Sequence, residues 1–192
     1  MTLFFGYLGC MLLAAAFAAW CAGPSRFRLA FALAGGALLL VPVGDLLAVE
    51  YLRGVFGDLS IVTQMLLAAF VVGRAPERRQ LGAIMGLALA SAVFLYPATL
   101  GLTVFDPYAL GYTSLAFAAV LAAITLVAWY LGFEWLAACL LVAVASKVAG
   151  VLESRNLWDY LVDPLLALYA LFWLCRSALR SRRPSAAAPS TP

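Results

Sequence analysis

Two aspartates near the end of the chain, Asp159 and Asp163, stand where a membrane-crossing helix would carry apolar residues. Four residues apart on one helix, two carboxylates share a face, with Tyr160 beside them. Such a pair can coordinate a divalent cation, relay a proton or hold one raised pKa through mutual repulsion. Pro164 provides a second explanation. Proline removes a backbone donor and disfavours a helix just before it, so Asp163 would accept hydrogen bonds from backbone groups freed by a local break. Both explanations fit the sequence.

Other polar residues also interrupt apolar segments, and depth can be counted at about 1.5 Å per helical residue. Asp45, Gln64, Lys147 and Asp163 then all fall in the outer half of a bilayer. An ionised side chain at the helix centre costs about 2.5 to 3.5 kcal/mol and usually pairs inside the bundle. Lys147 is the only lysine in the chain. We therefore predict that it pairs with Asp163, with Asp45 as the next choice.

These residues have two interpretations: a structural ion pair that fixes helix registry, or a polar pocket that opens outward. The acids that accumulate at the outer helix ends favour the pocket. The predicted pocket consists of Asp45, Gln64, Lys147, Asp159, Tyr160 and Asp163. Its predicted mouth consists of Glu50, Arg53, Asp58, Glu153 and Arg155.

Several kinds of chemistry are excluded by what the chain lacks. Without histidine it offers no His-ligated haem, no His-based zinc hydrolase site and no Ser-His-Asp triad. The four cysteines lie in apolar segments without C-x-x-C spacing, so we expect small core residues rather than disulfides or metal ligands. They are Cys10, Cys21, Cys139 and Cys175. We predict no metal and no cofactor.

The amino-acid composition predicts the kind of element that positions these polar residues. Of 192 residues, 66% are hydrophobic and 11% charged, and the mean hydropathy is +1.04. We therefore predict an all-α integral membrane protein with seven transmembrane helices in residues 1–183. The predicted spans cover about 2–22, 29–49, 59–73, 81–102, 114–131, 135–152 and 157–175.

The last span poses a boundary problem. Its uninterrupted apolar run, 164–175, gives about 18 Å of helix, which is too short for a hydrocarbon core of about 30 Å. We therefore predict that the helix begins near Leu157. Residues 184–192 form a Pro-, Ser- and Ala-rich tail, which we expect to be disordered in the cytoplasm.

The arginines predict the orientation. With seven spans, nine of the eleven arginines fall on one side and two, Arg53 and Arg155, on the other. The positive-inside rule then places the N-terminus outside and the C-terminus in the cytoplasm. Basic residues confined to loops and the tail do not indicate nucleic-acid binding. The large excess of arginine over lysine and the abundant alanine are typical of a GC-rich bacterial genome, so we predict the bacterial inner membrane.

Two functional classes follow. The first is a non-catalytic carrier or accessory subunit in envelope lipid or polysaccharide handling, whose pocket recognises a cation, an amine or a lipid headgroup. Its partners would be membrane lipids and either another membrane protein or a second copy of the chain. The alternative is an enzyme acting on a lipid headgroup at the outer leaflet through Asp159, Asp163 and Glu153. The absence of histidine and of a nucleophile motif favours the first class.

Overall fold

Helices make up most of this protein in a computed structural model that describes residues 2–102 and 104–181. Within that part of the chain there are ten α-helices and one hairpin of two short strands. In chain order they are α1 (Thr2–Ala22), α2 (Arg28–Leu38), β1 (Pro42–Val43), β2 (Leu46–Leu47), α3 (Ala48–Phe56), α4 (Ile61–Val71), α5 (Arg78–Thr99), α6 (Leu110–Thr113), α7 (Leu115–Tyr130), α8 (Glu134–Val148), α9 (Trp158–Leu161) and α10 (Pro164–Ser181). The predicted all-α class is confirmed. Arg182, Arg183 and the predicted tail 184–192 lie outside the described residues.

Among the described residues, two helices are long and apolar enough to cross a membrane. They are Leu3–Ala22 within α1, with a mean hydropathy of 1.9, and Arg78–Thr99, with 1.8. Three further apolar helices, α2, α4 and α7, are shorter. Two of the seven predicted spans therefore correspond to helices that are long and apolar enough to cross a membrane.

The second predicted span, 29–49, is not a continuous helix. α2 ends at Leu38, and β1 pairs antiparallel with β2 in a register that joins Val43 to Leu46. The two-residue loop is Gly44-Asp45, and Gly44 has a φ of +65°, which suits a tight hairpin turn. Asp45 is therefore exposed at a turn. The prediction that it lies deep in a helix is wrong.

The last span also differs from its prediction, because α10 begins at Pro164 rather than near Leu157. The one-turn helix α9 ends at Leu161, and Val162 is extended, with φ −144° and ψ 138°. The Asp163 carboxylate accepts a hydrogen bond from the Leu166 amide at 2.8 Å. An aspartate N-cap followed by proline in the first helical position is a strong helix start. Asp159 and Asp163 therefore do not share a helix face, and the local break at Pro164 is the arrangement found.

The longer helices run in alternating directions between two polar ends. At one end, the Arg28 guanidinium donates to the Phe70 carbonyl at 2.6 Å and that of Arg79 donates to the Leu131 carbonyl at 3.1 Å. This basic end contains the loops 23–27, 72–77 and 131–133. The opposite, acidic end contains segments 39–60, 100–102, 104–114 and 149–163, which carry Glu50, Asp58, Asp106, Glu153, Asp159 and Asp163.

The core is built around α8, which packs against α4, α5, α7 and α9. Its Ala137, Cys139 and Ala143 are fully buried. On the other side of α4, α1 packs closely on α2. Of the four free cysteines, Cys10 and Cys139 are core residues as predicted, whereas the other two, Cys21 and Cys175, are exposed.

Candidate functional site

An open cleft of about 510 Å³ lies at the acidic end, between the start of α1, α3 and the loop before α9. Four of the five predicted mouth residues line it: Glu50, Arg53, Asp58 and Glu153. The fifth, Arg155, is exposed and does not line the cleft. The remaining lining residues are Leu3, Tyr7, Gly54 and Gly57.

Arg53 links three segments of this cleft. Its Nε contacts Asp58 Oδ1 at 2.7 Å, and its second terminal nitrogen contacts Glu153 Oε1 at 2.9 Å. The hydrogen bond to Asp58 is the main reason why the pKa of Arg53 is raised above its usual value. These are the two ion pairs present in the described ranges. Because the Glu153 side chain is 54% exposed, it remains accessible to a ligand in the cleft.

Glu50 is held by two donors. It accepts hydrogen bonds from the Leu47 amide at 2.6 Å and from the Tyr7 hydroxyl at 2.8 Å. The bond to the Leu47 amide, followed by that to Tyr7, lowers the pKa of Glu50 below its usual value. The carboxylate is therefore ionised at neutral pH. Three carboxylates and one guanidinium give the lining of the cleft a formal charge of −2.

Asp163 lies away from this cleft, buried between α4 and α10 with 5% exposure. Its Oδ2 accepts hydrogen bonds from the Ser60 amide at 2.9 Å and the Thr63 hydroxyl at 2.5 Å. Its Oδ1 accepts from the Leu166 amide at 2.8 Å. One carboxylate thus satisfies donors at the N-termini of two helices, where the helix dipoles favour negative charge.

The predicted pairing of Asp163 with Lys147 is wrong. Lys147 lies in the last turn of α8, and its ammonium group donates to the Tyr112 carbonyl at 3.3 Å. Asp163 needs no cation, because the backbone and hydroxyl donors of α4 and α10 stabilise its charge. Gln64 is buried at the start of α4, close to Gly9 of α1, and its amide donates to the Leu59 carbonyl at 2.9 Å.

Asp159 and Tyr160 bind neighbouring loops. Asp159 accepts hydrogen bonds from the Tyr108 hydroxyl at 2.8 Å and from the Ser154 hydroxyl. Burial, and then the bond to Asp159, raise the pKa of Tyr108. The Tyr160 hydroxyl accepts from the Leu152 amide at 3.1 Å and donates to the Ser154 carbonyl at 3.0 Å. Both side chains therefore hold the loop before α9 in place.

A loop clasp, formed by segments 107–111 and 154–159, closes this region. Asn156 is fully buried. Its amide donates to the Tyr108 carbonyl at 2.8 Å and its carbonyl accepts from the Trp158 amide at 3.0 Å. The Trp158 indole donates to the Pro107 carbonyl at 2.9 Å. A Cβ at Gly111 would overlap the Asn156 side chain, so this close approach requires glycine.

Several residues that shape the site were not predicted. Ser60 carries a sequence signal, because a serine directly before an apolar run is a typical N-cap, and its hydroxyl accepts from the Thr63 amide. Asn156 and Gly111 carry none, since a lone asparagine and a lone glycine do not indicate which distant loop they contact. Tyr7 likewise reads as an ordinary helix residue.

The six predicted pocket residues do not line one cavity. Asp45 is on the hairpin and Lys147 at the end of α8, whereas the others are buried or half-buried in separate clusters. Across residues 2–102 and 104–181, no three or more His, Cys, Asp or Glu side chains are grouped to hold a metal ion. No protein-family model, curated protein or solved structure matches this chain.

Proposed function

We propose that this chain is a multi-pass protein of the bacterial inner membrane that crosses the bilayer seven times, with its N-terminus outside and its C-terminus in the cytoplasm. Large apolar side chains exposed on the helices support this placement, among them Trp20 at 69%, Leu126 at 70% and Phe172 at 59% exposure. Soluble proteins rarely expose extensive apolar surface. The concentration of arginines at the basic end agrees with the positive-inside rule.

The two shortest spans require the acidic end to be partly non-helical within the bilayer. α2 and α4 have 11 residues each, or about 16 Å, roughly half of a 30 Å hydrocarbon core. Residues 57–60 would complete the crossing of α4. Non-helical backbone is tolerated at such depth where it is buried in protein or lines a water-filled cavity, and Gly57 and Asp58 line the cleft. Residues 42–46 of the hairpin after α2 are exposed, so the hairpin would lie at the membrane surface.

Within the membrane, the chain acts as a non-catalytic carrier or accessory subunit in the handling of envelope lipid or polysaccharide, and its cleft binds the ammonium group of a ligand. The negatively charged lining of the cleft is the observation that carries this proposal. Arg53 pairs with both Asp58 and Glu153, but the Glu153 side chain is 54% exposed, and Glu50 is held ionised at the wall. An ammonium group between Glu50 and Glu153 would offset the excess negative charge.

The hydrogen bonds of the other carboxylates favour this role over the enzymatic alternative. A general acid or base must lie within hydrogen-bond reach of its substrate. Asp163 is buried and accepts three hydrogen bonds from its own chain. Asp159 accepts two, from Tyr108 and Ser154.

Cysteine accessibility tests the topology. Val104, at the acidic end, and Ala75, at the basic end, are both exposed. We expect a membrane-impermeant maleimide to label Val104→Cys in intact cells, and Ala75→Cys only after the cells are opened. Wild-type protein measures the background from the native cysteines. Equal labelling of both sites in intact cells would contradict the proposed orientation.

Ligand binding tests the cleft. Protein in phosphatidylcholine nanodiscs is titrated with free ethanolamine, and a second set of discs contains phosphatidylethanolamine, so that a free amine and a lipid headgroup are distinguished. We expect Glu153→Gln and Glu50→Gln each to weaken binding of the amine roughly tenfold. Glu134→Gln, an exposed glutamate at the basic end, is the matched control. Unchanged affinity in both cleft variants, or no binding of either amine, would exclude this role for the cleft.

A further inference from the structure

A second cavity, of about 370 Å³, lies between α5 and α7, with α4, α8 and α9 behind it. We propose that it binds one hydrocarbon chain of a phospholipid from the leaflet at the acidic end. This inference rests on the proposed membrane location of the chain, but it is independent of what the acidic cleft binds. The volume falls within the range of about 300 to 1,000 Å³ that is typical of ligand pockets.

The lining of this cavity is apolar and carries no charged residue. Its side chains with polar atoms are Ser91, Ser114, the thiol of Cys139 and the indole of Trp158, whose N–H is already donated to the Pro107 carbonyl. The Ser114 hydroxyl already accepts a hydrogen bond from the Phe117 amide, at 3.2 Å, as the N-cap of α7. Water needs several polar partners to occupy a cavity, and a lining of this kind does not provide them. The chemistry therefore selects a hydrocarbon occupant.

The length of the cavity matches one leaflet. On α7 its lining extends from Ser114 to Ile124, and on α5 from Ile84 to Phe94. Each stretch advances ten residues, or about 15 Å, which is half of a hydrocarbon core of about 30 Å. At the acidic end the cavity is lined by Trp158, whose ring packs against Phe117 with 4.4 Å between centroids. An acyl chain lying along the helices fills this length.

The entrance is on the side of the helices, not at a polar end. Phe94 on α5 and Val120 on α7 both line the cavity, yet they are 51% and 54% exposed. The gap between them therefore opens onto the apolar surface that the bilayer would cover. α7 packs chiefly on α8, which leaves its α5 side free to admit a chain. The nearest source of hydrocarbon at that opening is a bilayer lipid.

Photolabelling tests this assignment. The protein is reconstituted into phosphatidylcholine vesicles that contain a minor fraction of phosphatidylcholine with a mid-chain diazirine, irradiated, and mapped by mass spectrometry. We expect labels concentrated on the facing stretches of α5 and α7. Ala116→Phe, which adds a ring at an exposed lining position, should reduce this labelling roughly tenfold, as expected for loss of fit in a hydrophobic pocket. Ala118→Phe, on the opposite face of the same helix, should leave it unchanged.

The outcomes are separable. Even labelling of all exposed apolar residues, unaffected by Ala116→Phe, would overturn the proposal, as would crosslinks showing that a helix of a second copy or of another protein fills the gap. Ser91→Phe, on the α5 wall, is a second blocking variant, and circular dichroism confirms that each variant folds. Failure of the topology experiment with Val104→Cys and Ala75→Cys would overturn the proposed orientation, not the cavity assignment. Correct topology combined with even labelling would refute only the cavity assignment.

Discussion

Substitution of Asp163 by asparagine and by alanine separates its two structural roles. Asparagine is as good an N-cap as aspartate, so Asp163→Asn keeps the acceptor for the Leu166 amide. Its amide nitrogen replaces the Oδ2 that accepts from the Ser60 amide and the Thr63 hydroxyl. The hydroxyl can rotate and accept a hydrogen bond instead, whereas the Ser60 N–H cannot. Asp163→Asn therefore breaks the link to α4 and preserves the cap of α10.

The magnitude follows from the donors left without partners. One buried N–H without an acceptor costs about 1 to 3 kcal/mol, which is the expected loss of unfolding free energy in Asp163→Asn. Asp163→Ala also removes the N-cap of α10, at a further cost of about 1 kcal/mol. The exposed Asp45 provides the control, and Asp45→Asn should change stability by less than about 0.5 kcal/mol.

The assay is reversible unfolding in mixed micelles, with the denaturing detergent titrated and helicity followed by circular dichroism. Because Lys147 and Asp163 have no shared partner, the effects of Lys147→Met and Asp163→Asn should add within about 0.5 kcal/mol. Restored stability in the double variant would show that the two charges are a pair after all. Wild-type stability in Asp163→Asn would refute the role assigned to the Ser60 amide.

Two other residues give predictions of different kinds. Glu50 has a pKa below its ordinary value of 4.5, so its stabilising effect is present above pH 4.5 and is lost as the pH falls through its folded-state pKa. The midpoint of thermal unfolding should therefore fall less on acidification in Glu50→Gln than in wild type, and parallel curves would contradict this. Gly111→Ala should destabilise the protein by about 1 to 3 kcal/mol through overlap with Asn156. Adding Asn156→Ala should then cost less than the sum of the two single changes, as measured by the same unfolding assay; strict additivity would exclude the overlap.

The helix positions follow from the sequence wherever an apolar run is unbroken. The first predicted span, 2–22, has the bounds of α1, and the fifth, 114–131, differs from α7 by one residue at each end. The predictions fail at Gly44-Asp45 and at Asp163-Pro164. Both dipeptides carry a recognisable signal, a hairpin turn and a helix start respectively. The requirement for about 20 residues per span outweighed these signals, because it assumes that each crossing is one complete helix.

The acidic cleft was predictable only as a set of residues. The charge pattern placed Glu50, Arg53, Asp58 and Glu153 at one end of the molecule. Which carboxylate pairs with Arg53 depends on tertiary packing, because Arg53 and Glu153 are 100 positions apart in the chain. The predicted pairing of Lys147 with Asp163 failed for a different reason. A buried carboxylate was expected to need a cation, whereas Asp163 is satisfied by backbone and hydroxyl donors at two helix starts. The donor residues can be identified in the sequence, but the packing that brings them to one carboxylate cannot.

The double cap formed by Asp163 has a consequence for assembly during synthesis. Its acceptor oxygen and the Ser60 amide are separated by 103 positions, so α4 emerges from the ribosome long before the residue that completes its N-terminus. Until then the Ser60 amide depends on water, and the start of α4 cannot settle into a dry environment. Docking of α10 is therefore also the step that completes the N-terminus of α4, and a nascent chain that ends before residue 163 should leave the first turn of α4 open to hydrogen exchange.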